Sequence, residues 1–346
     1  MLWVNSITTR APNLGSANDL KKILRKVRSW FRGVQIIHDR LRVLTPVVLP
    51  FPHWPWAQRF NRWLTSALVR RAARRWGLRH PQLWIFPPNA VDYVGQFGES
   101  KVIYYCVDEW SQFRHLNRDF ILAKERELLA RADVVFVVSK HLLGKHPRAH
   151  LIPHGVNFEL FAAPGPVAPD LPAKPVIGFY GNLYDWVDQN LLAAIATLRP
   201  QWNLVLIGKI MTDVSRLQRP NIHLLGPRPY EALPAYCRGF DVGIIPYKVN
   251  DPRMQSVNPL KLREYLAAGL PVVSVDIPEV HGLPVRLANT PEEFVARIEE
   301  ALHDETDYRE SVRADSWAAR VAEIEWILAD EPTGRSGQAA ANGLAH

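Results

Sequence analysis

The sequence predicts an α/β protein built as two doubly wound, parallel-sheet domains. Three observations carry that prediction. At 346 residues the chain exceeds what one ordinary core organises, so two domains of about 150–170 residues follow. Short apolar runs rich in valine and isoleucine alternate with helical periodicities in both halves. The stretch Ala163-Pro-Gly-Pro-Val-Ala-Pro-Asp-Leu-Pro172 interrupts the alternation once and reads as a stiff linker. The expected limits are residues 1–163 for the first domain, 164–173 for the linker and 174–330 for the second domain. Residues 331–346 have nothing to bury and are expected to be a disordered tail.

In the first half, residues 2–5 read as a strand, 14–32 as a basic helix and 43–50 as a buried strand. Residues 60–76 read as an amphipathic helix, with Leu64, Leu68 and Ala72 on one side and Arg62, Arg70 and Arg74 on others. The runs 83–86, 102–107 and 134–138 are of the kind a parallel sheet buries, and 119–132 is the helix between the last two. In the second half, strands are expected near 176–180, 204–207, 221–225, 242–245 and 271–275, closed by helices over 291–302 and 308–329.

Composition narrows the function classes. An apolar fraction of 47% is that of a globular protein. Cys106 and Cys237 sit in apolar segments rather than a disulfide framework, which suits a reducing compartment. No apolar run approaches the length of a membrane span and no signal peptide is recognisable, so the cytoplasm is the expected compartment. The net charge of +8 is unevenly spread. Residues 1–165 hold 25 Lys and Arg against 11 Asp and Glu, a net of +14, whereas residues 166–346 have a net of −6. Nine arginines and no acidic residue lie between Arg40 and Val91. This half is expected to meet something anionic: nucleic acid, an acidic lipid surface or a diphosphate-linked acceptor. The aromatic residues within the block, Trp63 and Trp76, read as core rather than as stacking platforms, so no nucleic-acid partner is expected.

The most informative stretch is 256–273. Asn258 is a good N-cap, Pro259 suits the first helical position, Gly269 is placed to stop the helix, and Pro271-Val-Val-Ser-Val starts a buried strand. Lys261 in the first turn adds positive charge where the helix dipole is already positive. Two readings stand: a surface pair of Lys261 with Glu264, or a phosphate held by the ammonium together with free backbone amides.

The run Asn258-Pro-Leu-Lys-Leu-Arg-Glu-Tyr-Leu-Ala-Ala-Gly-Leu-Pro-Val-Val273 resembles the nucleotide-sugar signature of GT-B glycosyltransferases, in particular the glycosyltransferase family 4-like (group 1) enzymes. Gly178-Phe-Tyr-Gly-Asn-Leu183, Leu204-Val-Leu-Ile-Gly-Lys209, Asn221-Ile-His-Leu-Leu-Gly226 and Asp241-Val-Gly-Ile-Ile-Pro-Tyr247 follow that family's C-terminal domain in order. Ala132-Asp-Val-Val-Phe-Val-Val-Ser139 and Ile152-Pro-His-Gly-Val-Asn157 resemble the end of its N-terminal domain, so the likeness covers about residues 84 to 328. The resemblance implies a GT-B fold, two Rossmann-like domains facing a cleft, with an acceptor-side N-terminal domain and a donor-binding C-terminal one. It also implies that the strand at 2–5 corresponds to the second strand of the N-terminal domain, leaving its first βα unit out of this chain. Many relatives carry a Glu eight residues before the Glu of the signature helix, where this chain has Ser256. That marks a variant subgroup, and the retaining chemistry of those relatives is not carried over.

Ligands of a doubly wound sheet lie outside the carboxyl ends of its strands. Here those ends are Gly181-Asn182, Gly208-Lys209, Gly226-Pro227, Pro246-Tyr247 and the start of the 259–268 helix. The expected donor-binding residues are Gly181, Asn182, Lys209, Arg228, Tyr247, Asn258, Lys261 and Glu264. Backbone amides and the two lysines would meet a diphosphate, Glu264 would accept from ribose hydroxyls, and Arg228 with Tyr230 would frame the base. Lys209 as a solvated strand-end lysine, and Tyr230 as helix-start packing, stay open beside those roles. Asp108 and Glu109 follow the strand at 102–107 and are the candidate catalytic carboxylates, a general base for an acceptor hydroxyl against a loop acid that caps the next turn. His154 reads as a structural turn residue. No Gly-x-Gly-x-x-Gly, Walker loop, zinc pair or Asp-x-Asp occurs, so neither a cofactor nor a metal-bridged diphosphate is expected.

The leading expectation is a transferase moving a sugar from a nucleoside diphosphate donor to a lipid-linked or polysaccharide acceptor in cell-envelope or exopolysaccharide synthesis, working at the inner face of an anionic membrane. A catalytically inactive relative that binds nucleotide sugar or a partner is the alternative from another class, and a sugar-nucleotide 2-epimerase is a further one.

Overall fold

The computed structural model describes residues 1–5, 34–46, 48–49, 54–113 and 116–330. The expected helix at 14–32 and the tail at 331–346 lie outside the described residues. The chain divides into two compact units, one holding Met1–Val137 with His146–His150, the other Val138–Lys145 with Leu151–Ala329.

Unit 1 begins with a three-stranded sheet in the order β1-β3-β2, formed by β1 (Leu2–Val4), β2 (Val34–His38) and β3 (Leu41–Leu44). The expected strand at 43–50 is therefore shorter and earlier. It is the second arm of an antiparallel hairpin turned at Asp39-Arg40. Helix α1 (Pro55–Arg75) follows, starting five residues before the expectation because Pro55 suits a first helical turn. Its buried stripe is Ala57, Asn61, Thr65, Val69 and Ala72, at three- and four-residue spacing, not Leu64 and Leu68. Asn61 fixes the helix by accepting from Leu49 N at 2.7 Å and donating to Leu49 O at 3.0 Å. Trp63, read as core from sequence, is 62% exposed, and Trp54, Trp56 and Phe60 are exposed with it.

A second sheet in unit 1 has the order β4-β5-β6-β7, made of β4 (Gln82–Ile85), β5 (Lys101–Cys106), β6 (Val134–Val137) and β7 (His150–Leu151). β5 is buried along its whole length and runs parallel to both β4 and β6. Helix α2 (Arg118–Arg131) connects β5 to β6 and is capped by Asn117, whose side chain accepts from Phe120 N. Helix α3 (Lys140–Lys145) follows β6.

Unit 2 is one parallel six-stranded sheet in the order β10-β9-β8-β11-β12-β13. Helix α4 (Phe158–Ala162) precedes it, and the chain then runs β8 (Val176–Tyr180), α5 (Gln189–Leu198), β9 (Asn203–Ile207), β10 (Ile222–Gly226), α6 (Leu233–Cys237) and β11 (Val242–Ile245). It closes with α7 (Leu260–Ala267), β12 (Val272–Ser274), β13 (Arg286–Leu287), α8 (Pro291–Leu302) and α9 (Trp317–Asp330). Local chemistry sets the helix starts. The Asp188 carboxylate accepts from Asn190 N and Leu191 N ahead of α5, and Thr290 with Glu293 forms a capping box ahead of α8. The expected helix at 308–329 is instead a 3₁₀ segment, Arg309–Asp315, followed by α9. The break falls at Ser316, which is extended and pairs with Val156.

The proline-rich stretch packs on unit 2 rather than standing clear of it. Ala168 is buried and donates to Ala235 O, and Arg238 bonds the carbonyls of Pro166 and Ala163. β8 lies mid-sheet, with β9 and β10 outward on one side and β11 on the other. The direction of winding reverses between β8 and β11, so the crevice of this sheet opens beyond Tyr180 and Ile245.

Candidate functional site

Two glycines shape the backbone at that crevice. Gly181 (φ 139°) follows β8 and Gly208 (φ 150°) follows β9, both in the region that side chains rarely adopt. A Cβ on Gly208 would lie 2.0 Å from Gly181 O, so the two strand ends touch through backbone alone. The Gly181 amide, expected to meet a phosphate, is spent on Ile207 O at 2.8 Å, because the β8–β9 ladder runs one residue further than the strand itself. The next amide, of Asn182, has no acceptor among the described residues.

Helix α7 delivers Lys261 to the same place. Its Nζ stands 3.1 Å from where a Gly181 Cβ would be, donates to Tyr247 Oη, and lies 4.9 Å and 5.0 Å from the ring centres of Phe179 and Tyr247. The ammonium therefore rests on two aromatic faces, a contact that favours the cation. It forms no ion pair with a carboxylate among the described residues. Glu264, one turn on, is turned away from it. Only 6% exposed, its carboxylate accepts from Tyr180 Oη at 2.7 Å and Tyr230 Oη at 2.9 Å. Burial first, and then neighbouring Cys237 and Glu264, pushes the Tyr180 phenol well above its ordinary range, and burial does the same for Tyr230. Both hydroxyls stay protonated donors, so Glu264 is fixed from two sides.

The remaining expected positions divide. Lys209 is exposed at the end of β9, its carbonyl engaged by Leu183 N at 2.9 Å and its ammonium free of ion pairs among the described residues. Arg228 is committed elsewhere, to Tyr236 Oη (2.6 Å), Leu225 O (2.6 Å) and Asp170 (2.7 Å). Asn258 does not cap the helix, which starts at Leu260 with Pro259 in the capping position. Its side chain is 5% exposed, donates to Val138 O and Glu279, and accepts from Arg263 Nη1 at 2.9 Å. The Ser256 hydroxyl is likewise turned onto protein, donating to Arg253 O at 3.2 Å. Sequence reasoning missed Tyr180 and Tyr265. Tyr265 Oη accepts from Tyr180 N at 3.0 Å and the two rings meet edge to face at 4.9 Å. The signal was available, because Tyr265 lies on the apolar stripe of α7 and a buried phenol needs a partner.

In unit 1, Asp108 and Glu109 follow β5 as expected. Asp108 is half-buried and burial raises its carboxyl from 3.8 to about 6, which puts a proton-accepting group near neutrality. Glu109 is more deeply buried and accepts from Ser111 Oγ at 2.6 Å at the start of a short 3₁₀ turn. His154, in unit 2, is held neutral, its pKa lowered to about 4 by burial and then by Arg263, and its ring meets Trp317 edge to face.

A parallel, doubly wound sheet whose β8 and β9 ends are glycines, with a lysine lying over its switch point, is the architecture of one Rossmann-like half of the GT-B fold. Residues 174–304 match the family described as Glycosyl transferases group 1. The glycosyltransferase TuaH of Bacillus subtilis (strain 168), named for teichuronic acid biosynthesis, is 31% identical over 268 residues, 67% of this chain and 66% of that one. The chain thus spans just under two thirds of that relative's length. Among solved structures, sucrose-phosphate synthase from Thermosynechococcus elongatus superposes with a TM-score of 0.68 at 16% identity, over 95% of this chain and 98% of that one. HepE of Anabaena, in complex with UDP and glucose, superposes with a TM-score of 0.64 at 13% identity, over 95% and 99%. Residues 174–304 thus belong to the group 1 glycosyltransferases, and the chain has the GT-B fold.

Proposed function

We propose that this protein transfers a sugar from a nucleoside diphosphate donor held by unit 2 to a lipid-linked or polysaccharide acceptor in cell-envelope or exopolysaccharide synthesis. The observation that carries the proposal is Lys261, an ammonium with no carboxylate partner among the described residues, lying at the switch point of the sheet. In this reading a diphosphate supplies the missing charge. It would accept from Lys261, from Lys209 and from the Asn182 amide, so the leaving group is neutralised by side chains and backbone without a metal ion. Glu264, fixed by two tyrosines, presents its remaining lone pairs to sugar or ribose hydroxyls. Support comes from HepE, which is seen in complex with UDP-glucose, and from TuaH, which is named for teichuronic acid biosynthesis.

The acceptor half of the proposal places an acidic membrane surface against α1, where exposed Trp54, Trp56, Phe60 and Trp63 accompany Arg70, Arg71, Arg74 and Arg75. No helix among the described residues is long and apolar enough to cross a membrane, so this contact would be peripheral. Asp108 is proposed as the base toward the acceptor hydroxyl.

Isothermal titration of the full chain with UDP and with GDP tests the donor site. Lys261→Ala is expected to weaken binding by about 1.5–3 kcal/mol, the range for a hydrogen bond to a charged group. Equal affinities would remove Lys261 from the site. Tight binding with no sugar transfer or donor hydrolysis would favour the inactive relative, a reading that Ser256 at the variant position supports.

A further inference from the structure

Unit 1 holds a second cluster of chemically capable side chains. Tyr104 and Cys106 are two residues apart on β5 and so project from one face of the strand. Glu125 of α2 lies over that face, and His146 enters just after α3. One carboxylate oxygen, Glu125 Oε1, is the focus. It accepts from Tyr104 Oη at 2.8 Å and lies 3.9 Å from Cys106 Sγ and 3.7 Å from His146 Nε2. All three potential ligand atoms lie within 4.8 Å of one another, and all three residues are buried. His146 is 7% exposed, and its Nε2, pointing at this cluster, makes no hydrogen bond to any described atom.

We infer that Cys106, Glu125 and His146 form a zinc site that ties α2 and His146 to the end of β5. A mixed sulfur, nitrogen and oxygen set is the choice of zinc rather than of magnesium or calcium, which take oxygen ligands. The distances fit a planar arrangement with little movement. A point equidistant from the three atoms lies at most about 2.5 Å from each, against usual values of about 2.0–2.2 Å for Zn–N and Zn–O and about 2.3 Å for Zn–S. A contraction of a few tenths of an ångström brings the three atoms to zinc in one plane; a tetrahedral site, with a water as fourth ligand, needs the Cys106–His146 edge drawn in to about 3.5 Å. Charge favours it as well: thiolate, carboxylate and neutral imidazole balance one divalent cation, so nothing uncompensated is buried.

Binding releases the thiol proton to solvent. The thiol now donates to Asp108 O at 3.3 Å, and that carbonyl keeps its second donor, Trp110 N at 3.0 Å, when the thiolate turns to the metal. Tyr104 stays on the ligand oxygen as an outer-shell donor that orients it. The competing account is a buried Glu125–His146 ion pair beside an inert thiol, and it requires no metal. The site is separate from the donor chemistry, for which no metal is invoked.

The test is titration of the full chain, without a histidine tag and under reducing conditions, with zinc and with cobalt. About one equivalent should bind, and cobalt should give a thiolate-to-metal charge-transfer band. The band should vanish in Cys106→Ala and persist in Cys237→Ala, whose thiol is buried in unit 2. Tyr104→Phe should retain the band while weakening zinc by about 10–100-fold, the usual loss for an outer-shell partner. No uptake by the folded wild-type chain overturns the inference, as does a band that survives Cys106→Ala. Should Cys106→Ala fail to fold, the wild-type stoichiometry and Tyr104→Phe decide. Zinc should also raise the unfolding temperature of the wild-type chain where magnesium does not, and equal responses to the two ions would overturn the site.

Discussion

Replacing Asp108 by asparagine separates the environment of this residue from its chemistry. Burial raises its carboxyl from 3.8 to about 6. A carboxyl whose pKa is higher in the folded state favours folding most when protonated. Its contribution is complete below pH 3.8 and is lost as pH rises through about 6. At 1.36 kcal/mol per pH unit, the loss comes to about 3 kcal/mol. Asparagine does not titrate. Whatever the amide itself costs is the same at every pH and cancels when variant and wild type are compared at two pH values. About 0.5 kcal/mol of that loss has already occurred at pH 4, so the stability of Asp108→Asn relative to wild type should rise by about 2.4 kcal/mol between pH 4 and pH 8, or roughly 5–10 °C in the melting temperature of a unit this size. Urea or thermal unfolding of both proteins at the two pH values measures it. A relative stability that does not change with pH would mean that Asp108 is solvated and its carboxyl ordinary. The same variant should lose sugar transfer by at least about 100-fold with donor affinity unchanged. Gained stability with lost turnover is the trade expected of a residue held in a costly state for chemistry. If turnover survives Asp108→Asn and collapses in Glu109→Gln, the base is the neighbour.

Gly208→Ala should destabilise unit 2 by about 2–4 kcal/mol, since its Cβ meets the Gly181 carbonyl and its backbone is left-handed, and should weaken UDP binding by displacing the Asn182 loop. Chemical denaturation and calorimetry read both effects, and a wild-type-like Gly208→Ala would refute the close approach. Cosedimentation with anionic vesicles should fall with rising salt, and the triple variant Trp54→Ala, Trp56→Ala, Trp63→Ala should bind more weakly at every salt concentration. If neutral vesicles bind as well as anionic ones, the arginines of α1 have no part in the contact.

Much of the fold and part of the site were legible in the chain because the signals are local. Alternating apolar runs marked five of the six strands that build unit 2, all but the two-residue β13, and Lys261 was marked by its position in the first turn of a helix that follows a sheet strand. Such patterns depend on neighbours a few residues away, where periodicity and helix geometry act. What escaped depends on partners far along the chain. Asn258 has the right chemistry for an N-cap, yet Val138 O, 120 residues earlier, claims its amide. The Gly181 amide was lost to a ladder bond from the adjoining strand, and Arg228 to Asp170. Trp63 reads as core by composition, yet α1 buries a stripe of small and polar residues and leaves its aromatic residues outside. The grouping of Cys106, Glu125 and His146 belongs to no spacing motif, because a strand, a helix and a loop each contribute one residue. The sequence by itself determined which elements form and which chemical groups stand at their ends. Only the tertiary structure decided which of those groups are already satisfied by protein, because a hydrogen bond or an ion pair is a fact about distance in space, and folding sets that distance between residues the chain keeps far apart.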